Sequence, residues 1–309
     1  MQDRLAALLN RFELRARVFQ TGALCQAVRF DATEGVGHIH VLRRGALKLV
    51  TAGARPRTLA EPSLIFYTRP FTHRLLPQGP EGVDLVCATV EFGALMHNPL
   101  TQAVPPMVVL PLSQQGTLSD ALHLLFREAA AIHCGRQAVL DRLSEVVIVL
   151  LLRHLMDQNL VSSGLLAGLA DPRLAKAINA MHAHPARPWT LDDLAREAGM
   201  SRARFALRFR STVGQTSGKY LSDWRISLAQ SLLRKGKPVK VVASEVGYES
   251  ASALARAFTG RLRITPTTWA KREAAAGESG RKMPPGRGGG EDSRRGARAR
   301  RAAKAARTN

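Results

Sequence analysis

Two nine-residue stretches 48 positions apart, residues 191–199 (LDDLAREAG) and 239–247 (VKVVASEVG), carry one pattern and end in glycine. In each, small or apolar residues fall at i, i+3, i+4 and i+7, first Leu191, Leu194, Ala195 and Ala198, then Val239, Val242, Ala243 and Val246. That spacing is one face of an α-helix. Gly199 and Gly247 then stop the helix, because glycine reaches the left-handed backbone that a sharp turn needs. A second helix-forming run follows at once in both copies, and two helix-turn-helix units in one chain point to a DNA reader.

The flanking residues agree with this reading. Thr190 with Asp193 makes a capping-box pattern, Ser201 can cap a helix from Arg202 to about Thr212, and Phe205 and Phe209 share its inward face. Arg202, Ala203, Arg204, Ala206, Leu207 and Arg208 are left for the outer surface, with Ala203, Ala206 and Leu207 at the front and arginines beside them for phosphates. In the second unit Pro238 suits a first turn, Ser250 is a cap, and Leu254 and Phe258 repeat the inward pair. Ala251, Ser252, Ala255 and Arg256 then face outward, and Arg256 is the strongest candidate for pairing with guanine. Residues 217–233 read as one long buried helix between the units, able to hold the two readers about one duplex turn, ~34 Å, apart.

Charge follows the same division. Residues 1–171 are nearly neutral, at net +2, whereas residues 172–272 carry +13 and residues 273–309 a further +6. A polyanion is therefore a partner for the back of the chain only. The opening residues carry charges at Asp3, Arg4, Arg11, Glu13, Arg15 and Arg17, so no secretory signal is expected. The longest aliphatic run, seven residues at 146–152, is far short of the ~20 that span a bilayer. Cys25, Cys87 and Cys134 are too few and scattered for a disulfide framework, and a reducing cytoplasmic setting is expected.

The front half has another texture. Residues 2–18 suggest a short amphipathic helix. From about Gly22 to Leu112 short apolar runs broken by Gly, Pro, Asn and Asp predict an all-β sandwich or barrel. Helices are expected near 118–133 and 136–158, the second apolar enough to pack on its own domain or to form a dimer seam. In a strand His38 and His40 point to one face, where His73 and Cys87 from later strands can join them. Three imidazoles, His38, His40 and His73, with a thiolate from Cys87 or Cys25 as a fourth ligand, would make a zinc site. Thiol-based sensing by Cys25 and Cys87 is the other chemistry on offer, and an inert core role for Cys87 remains open.

The stretch from Trp189 through Pro266, including WTLDDLAREAGMSRARFALRFRSTVG and VASEVGYESASALARAF, resembles the DNA-binding domain of AraC-type transcriptional regulators. Leu207 stands where that family often has a polar or basic side chain. GHIHVLRRGALKLV and DLVCATVEFG are similar to text in the cupin-type effector domain of the same family. The resemblance implies a non-enzymatic regulator, an activator or a repressor, that binds double-stranded promoter DNA, contacts RNA polymerase, forms a homodimer and answers an unknown effector. Two other classes are weighed against it. A metal-dependent cupin enzyme fused to a DNA-binding module would want a glutamate soon after His-x-His, where Arg43 and Arg44 stand instead. A non-specific architectural binder would use the arginine-rich tail.

The expected architecture is α+β: a cupin-like effector or sensor β-barrel (1–115) with appended helices (116–160), a linker (161–171), an all-α bipartite helix-turn-helix domain (172–272), and a disordered basic tail (273–309).

Overall fold

A computed structural model describes residues 3–11, 14–33, 35–92, 104–112 and 116–281. The chain divides into two compact units, Met1–Pro266 and Thr267–Asn309. The first opens with helix α1 (Ala6–Arg11) and strands β1 (Leu14–Leu24), β2 (Val28–Phe30), β3 (Val36–Arg44), β4 (Ala46–Thr51), β5 (Arg57–Leu59), β6 (Ser63–Tyr67), β7 (His73–Gln78), β8 (Val83–Phe92) and β9 (Met107–Pro111). These form an antiparallel five-stranded sheet, order β1-β8-β3-β6-β9, and an antiparallel four-stranded sheet, order β2-β7-β4-β5.

Strands β3, β6 and β8 of the five-stranded sheet are buried on both faces, and their period of two sorts the side chains. Leu42, Ile65, Tyr67, Leu85 and Cys87 join Leu47, Leu49 and Leu75 of the smaller sheet in a core between the sheets. The alternate residues Ile39, Val41, Leu64, Phe66, Val86, Ala88 and Val90 join a second core with the helices.

Those helices are α2 (Thr117–Ala130) and α3 (Arg136–Asp157), close to expectation, with Gly135 at φ 77° before the second. β1 is an edge strand, and α3 seals it. Asp141 accepts the Val18 N–H at 2.7 Å, Glu145 accepts the Ala16 N–H at 3.3 Å, and Gln137 donates to the Val18 carbonyl at 2.8 Å. Spacing of four puts these three side chains on one helix face, so an edge that would otherwise invite another strand is satisfied internally.

Two expectations are corrected. Residues 2–18 are not one helix: α1 is six residues long, and β1 begins at Leu14, where Arg15, Ala16, Arg17 and Val18 alternate outward and inward as a strand does. Segment 161–171 is not a free linker. It contains α4 (Leu165–Ala170), of which Leu165, Leu166, Ala167, Gly168 and Leu169 are all buried in the unit that also holds the barrel. Gly168 lets it pack closely, since a Cβ there would lie 2.7 Å from Ile178 Cδ1 and 3.0 Å from Val213 Cγ2. Arg4 donates to the Leu169 and Ala170 carbonyls, both at 3.0 Å, taking acceptors that the end of α4 leaves unpaired.

The back of the chain is helical as expected: α5 (Pro172–Ala183), α6 (Leu191–Glu197), α7 (Arg202–Val213), α8 (Ser217–Arg234), α9 (Val239–Val246) and α10 (Ala251–Leu262). Helix α11 (Pro266–Arg281) extends past the expected end at 272, into the region read as tail, and residues 282–309 lie outside the described ones. No helix among the described residues is long and apolar enough to cross a membrane.

If α4 is core, truncating the wholly buried Leu166 to Ala should cost about 2–5 kcal/mol in urea unfolding of the full chain. A flexible linker would give a change within about 0.5 kcal/mol.

Candidate DNA interface and buried histidine cluster

Each candidate reading helix follows a glycine turn and is held by an inward pair. At α6, Thr190 Oγ1 accepts the Asp193 N–H and the Asp193 carboxylate accepts the Thr190 N–H, both at 3.1 Å, completing the capping box. Gly199 turns at φ 61°, and α7 then buries Phe205 and Phe209, whose ring centroids are 5.5 Å apart. Ser201 occupies the N-cap of α7 without a side-chain bond. Arg202, Ala203, Arg204, Leu207 and Arg208 are exposed and Ala206 is half-buried.

The arginines of α7 are not equivalent. Arg208 Nε donates to Asp171 Oδ2 at 2.6 Å, while Asp171 also caps α5 through the N–H groups of Arg173 and Leu174. Burial opposes ionisation of Asp171, but Arg208 and the two backbone donors outweigh it and hold the carboxyl below its ordinary range. Arg202 lies 3.5 Å from Asp192.

In the second unit Gly247 ends α9 at φ 87°, and Ser250 caps α10 by accepting the Ala253 N–H at 3.1 Å. Leu254 and Phe258 are fully buried, leaving Ser252 and Arg256 exposed and Ala251 and Ala255 half-buried. α8 spans 18 residues, about 27 Å, between the units. From it Arg225 reaches the Pro185 carbonyl at 2.8 Å and the Arg187 carbonyl at 3.0 Å, with Tyr248 packed near its guanidinium. A Cβ on Gly247 would lie 2.6 Å from Ala186 Cα, so the second turn docks on this loop by backbone contact that only glycine permits.

The barrel brings His38, His40, His73 and Cys87 together. His40 pairs in register with Cys87, and His73 comes from the opposite sheet, paired with Phe30 and Thr51. Phe71 O lies 2.8 Å from His73 Nδ1, His73 Nε2 lies 2.8 Å from His40 Nε2, and His40 Nδ1 lies 2.9 Å from Cys87 Sγ. A carbonyl can only accept, so His73 carries its proton on Nδ1 and offers a lone pair at Nε2. His40 must then donate from Nε2 and accept at Nδ1, and the Cys87 thiol is the donor to it. One carbonyl thereby fixes the direction of the whole chain. Burial lowers the pKa of all three imidazoles, that of His38 to about 4, with His73 adding repulsion at His38 and His40. It pushes the Cys87 thiol well up. The neutral rings and the S–H form that the relay requires are the forms burial favours.

This arrangement departs from the expected zinc site. Cys87 and His73 sit on opposite nitrogens of the His40 ring, so one ion cannot take both through that ring. Among the described residues no group of three His, Cys, Asp or Glu converges on a metal position. Cys25 is separate as well: it is exposed, and Cys87 pairs with Gln20, five residues or about 16 Å along the strand. A disulfide needs Cα atoms within about 7 Å, so Cys25 and Cys87 cannot bridge in this fold.

Sequence reading missed several partners. The Tyr67 ring stacks on His73 at 4.1 Å with its hydroxyl 2.7 Å from Thr51, and Phe30 stacks on His73 at 4.9 Å. Phe19, the bulged residue of β1, lies edge-on to His38 at 6.2 Å. His38 Nδ1 is buried without a hydrogen-bond partner.

Residues 3–157 match the Cupin family and residues 194–272 match the Helix-turn-helix domain family. A protein of Streptomyces lividans described as an AraC-like transcription regulator is 35% identical over 299 residues, covering 88% of this chain and 97% of its own. One of Streptomyces antibioticus with the same description is 33% identical, covering 88% and 98%. The crystal structure of ToxT from Vibrio cholerae is similar at 12% identity and a TM-score of 0.38, covering 85% of this chain and 98% of that one.

The histidine pKa values set an acid dependence. The folded protein keeps these rings neutral where the unfolded chain, with pKa near 6.5, binds protons. Stability from this source is therefore full above about pH 6.5 and lost as pH falls toward 4. His38 alone should account for about 3 kcal/mol between pH 7 and pH 4. Urea unfolding across that range should show a shallower pH slope for His38→Gln than for the parent chain, and equal slopes would contradict the assignment.

Proposed function

This chain belongs to the AraC-like transcription regulators, and on that basis we propose that α7 and α10 read promoter DNA under control of the histidine cluster in the barrel. The observation that carries the DNA-reading half is the presentation of two helices by the one helix α8, each following a glycine turn and each with a buried i, i+4 pair behind an exposed face. The +13 charge of residues 172–272 supplies the phosphate attraction.

The sensing half rests on the buried relay from Cys87 through His40 to His73. A signal that breaks any of its bonds forces the other members to rotate or lose a partner, and an unpartnered buried polar group costs about 1–3 kcal/mol. The outer faces of β3 and β8 then carry the disturbance into the core that includes α4 and α7. An effector molecule fits such a trigger, whereas the burial that keeps Cys87 as S–H works against a thiol oxidant. The regulator acts in the cytoplasm, through RNA polymerase at its promoters and as a homodimer. Val139 and Val146, exposed seven residues apart on α3, support a helix-to-helix seam.

The two readers divide their work. Arg208 is engaged by Asp171 and Arg256 is exposed on α10, so Arg256→Ala should relax base preference more than Arg208→Ala does. Selection from a random duplex pool followed by competition against random DNA measures this, and the reverse ranking would overturn the division. Binding without preference in the parent chain would favour an architectural protein instead. For the sensor, Cys87→Ser and His73→Asn should change promoter affinity or its response to hydrogen peroxide, read by fluorescence anisotropy. Unchanged affinity and response in both variants would remove the relay from the account.

A further inference from the structure

We propose that Leu207 is a specificity-determining residue that reads the C5 methyl group of thymine. This rests on the reading that α7 enters the major groove.

Leu207 is 74% exposed on α7, beside the exposed Ala203. Its neighbours on the helix surface are Ala203 at i−4, Arg204 at i−3, Arg210 at i+3 and Ser211 at i+4. Ala203 and Leu207 thus form a short apolar strip between arginines, in the N-terminal two turns that a reading helix offers to base edges. Two of the nearby cations are committed elsewhere, Arg208 to Asp171 at 2.6 Å and Arg202 toward Asp192 at 3.5 Å. The Ala203–Leu207 strip itself carries no hydrogen-bonding side chain, and Arg204 and Arg210 flank it.

The chemistry of the groove then selects the partner. Adenine, guanine and cytosine present only donors and acceptors in the major groove, and thymine alone adds a methyl group. A leucine pressed on a polar base edge strips water from it and returns no hydrogen bond, which is unfavourable. Pressed on a methyl group, it buries apolar surface from both sides. The same side chain therefore favours thymine and disfavours the other three bases. A methyl contact of ordinary size corresponds to about a fourfold difference in affinity.

The test uses the full chain and a duplex selected by that chain from a random pool. Each thymine in the recovered site is replaced singly by deoxyuridine, which removes only the C5 methyl. At one or two positions in one half of the site the parent chain should bind the uracil duplex about fourfold more weakly. Leu207→Ala should bind thymine and uracil duplexes equally, and Leu207→Gln should lose the thymine preference at the same positions when reselected. Because Leu207 is exposed, neither variant should shift the unfolding midpoint. Equal binding of thymine and uracil by the parent chain at every position would overturn the proposal, as would a preference that persists in Leu207→Ala. Arg256→Ala separates this failure from failure of DNA reading as a whole. If Arg256→Ala relaxes preference in the other half of the site while no methyl effect exists, the chain reads DNA but Leu207 does not. If selection enriches no sequence at all, both readings fall.

Discussion

Strands β3 and β8 are buried on both faces, and the rest of the structure depends on that double burial. Alternate residues of β3 point His38, His40 and Leu42 into the barrel and Ile39 and Val41 toward the helices. β8 does the same with Cys87 on one side and Val86 and Ala88 on the other. A strand cannot move one face without moving the other, because its side chains hang from one backbone with a period of two. The histidine cluster and the core that holds α7 are thus two sides of the same strands. Interiors packed to crystal-like density pass such shifts on instead of absorbing them.

α4 completes the connection. Its buried residues lie in the core that also holds Leu5 and Leu8 of the N-terminal segment and Phe205, Phe209 and Val213 of α7. Arg4 caps the carbonyls at its end, and the next residue, Asp171, starts α5 and holds Arg208 on the reading helix. A relay of neutral, direction-fixed hydrogen bonds in the barrel suits a switch built on this frame. It is stable while intact, and it leaves buried donors and acceptors stranded when any member is altered.

The helix-turn-helix half was legible in the sequence because its signals are local. Caps at Thr190 and Ser250, turns at Gly199 and Gly247, and inward pairs four apart each act within one or two turns of chain. The pairing of His38 with His40 was legible for the same reason, a period of two within one strand. What escaped depends on distant partners. β1 looks helical until its edge is sealed by Gln137, Asp141 and Glu145, more than a hundred residues away. Segment 161–171 looks like a linker because its small residues serve close packing as well as flexibility, and only the approach of Ile178 and Val213 to Gly168 distinguishes the two. The placement of Cys87 was not legible either: it approaches the opposite nitrogen of the His40 ring from His73, and ring orientation leaves no trace in residue identity.

The barrel and α7 share one core through α4. Amide hydrogen exchange over residues 161–171 of the full chain tests it most directly. The amides at 168–171, hydrogen-bonded in and beside α4, should be protected like those of the barrel strands and α7, and open with them in one cooperative step. Exchange of this segment at the rate of an open chain, while β3 and α7 remain protected, would contradict it.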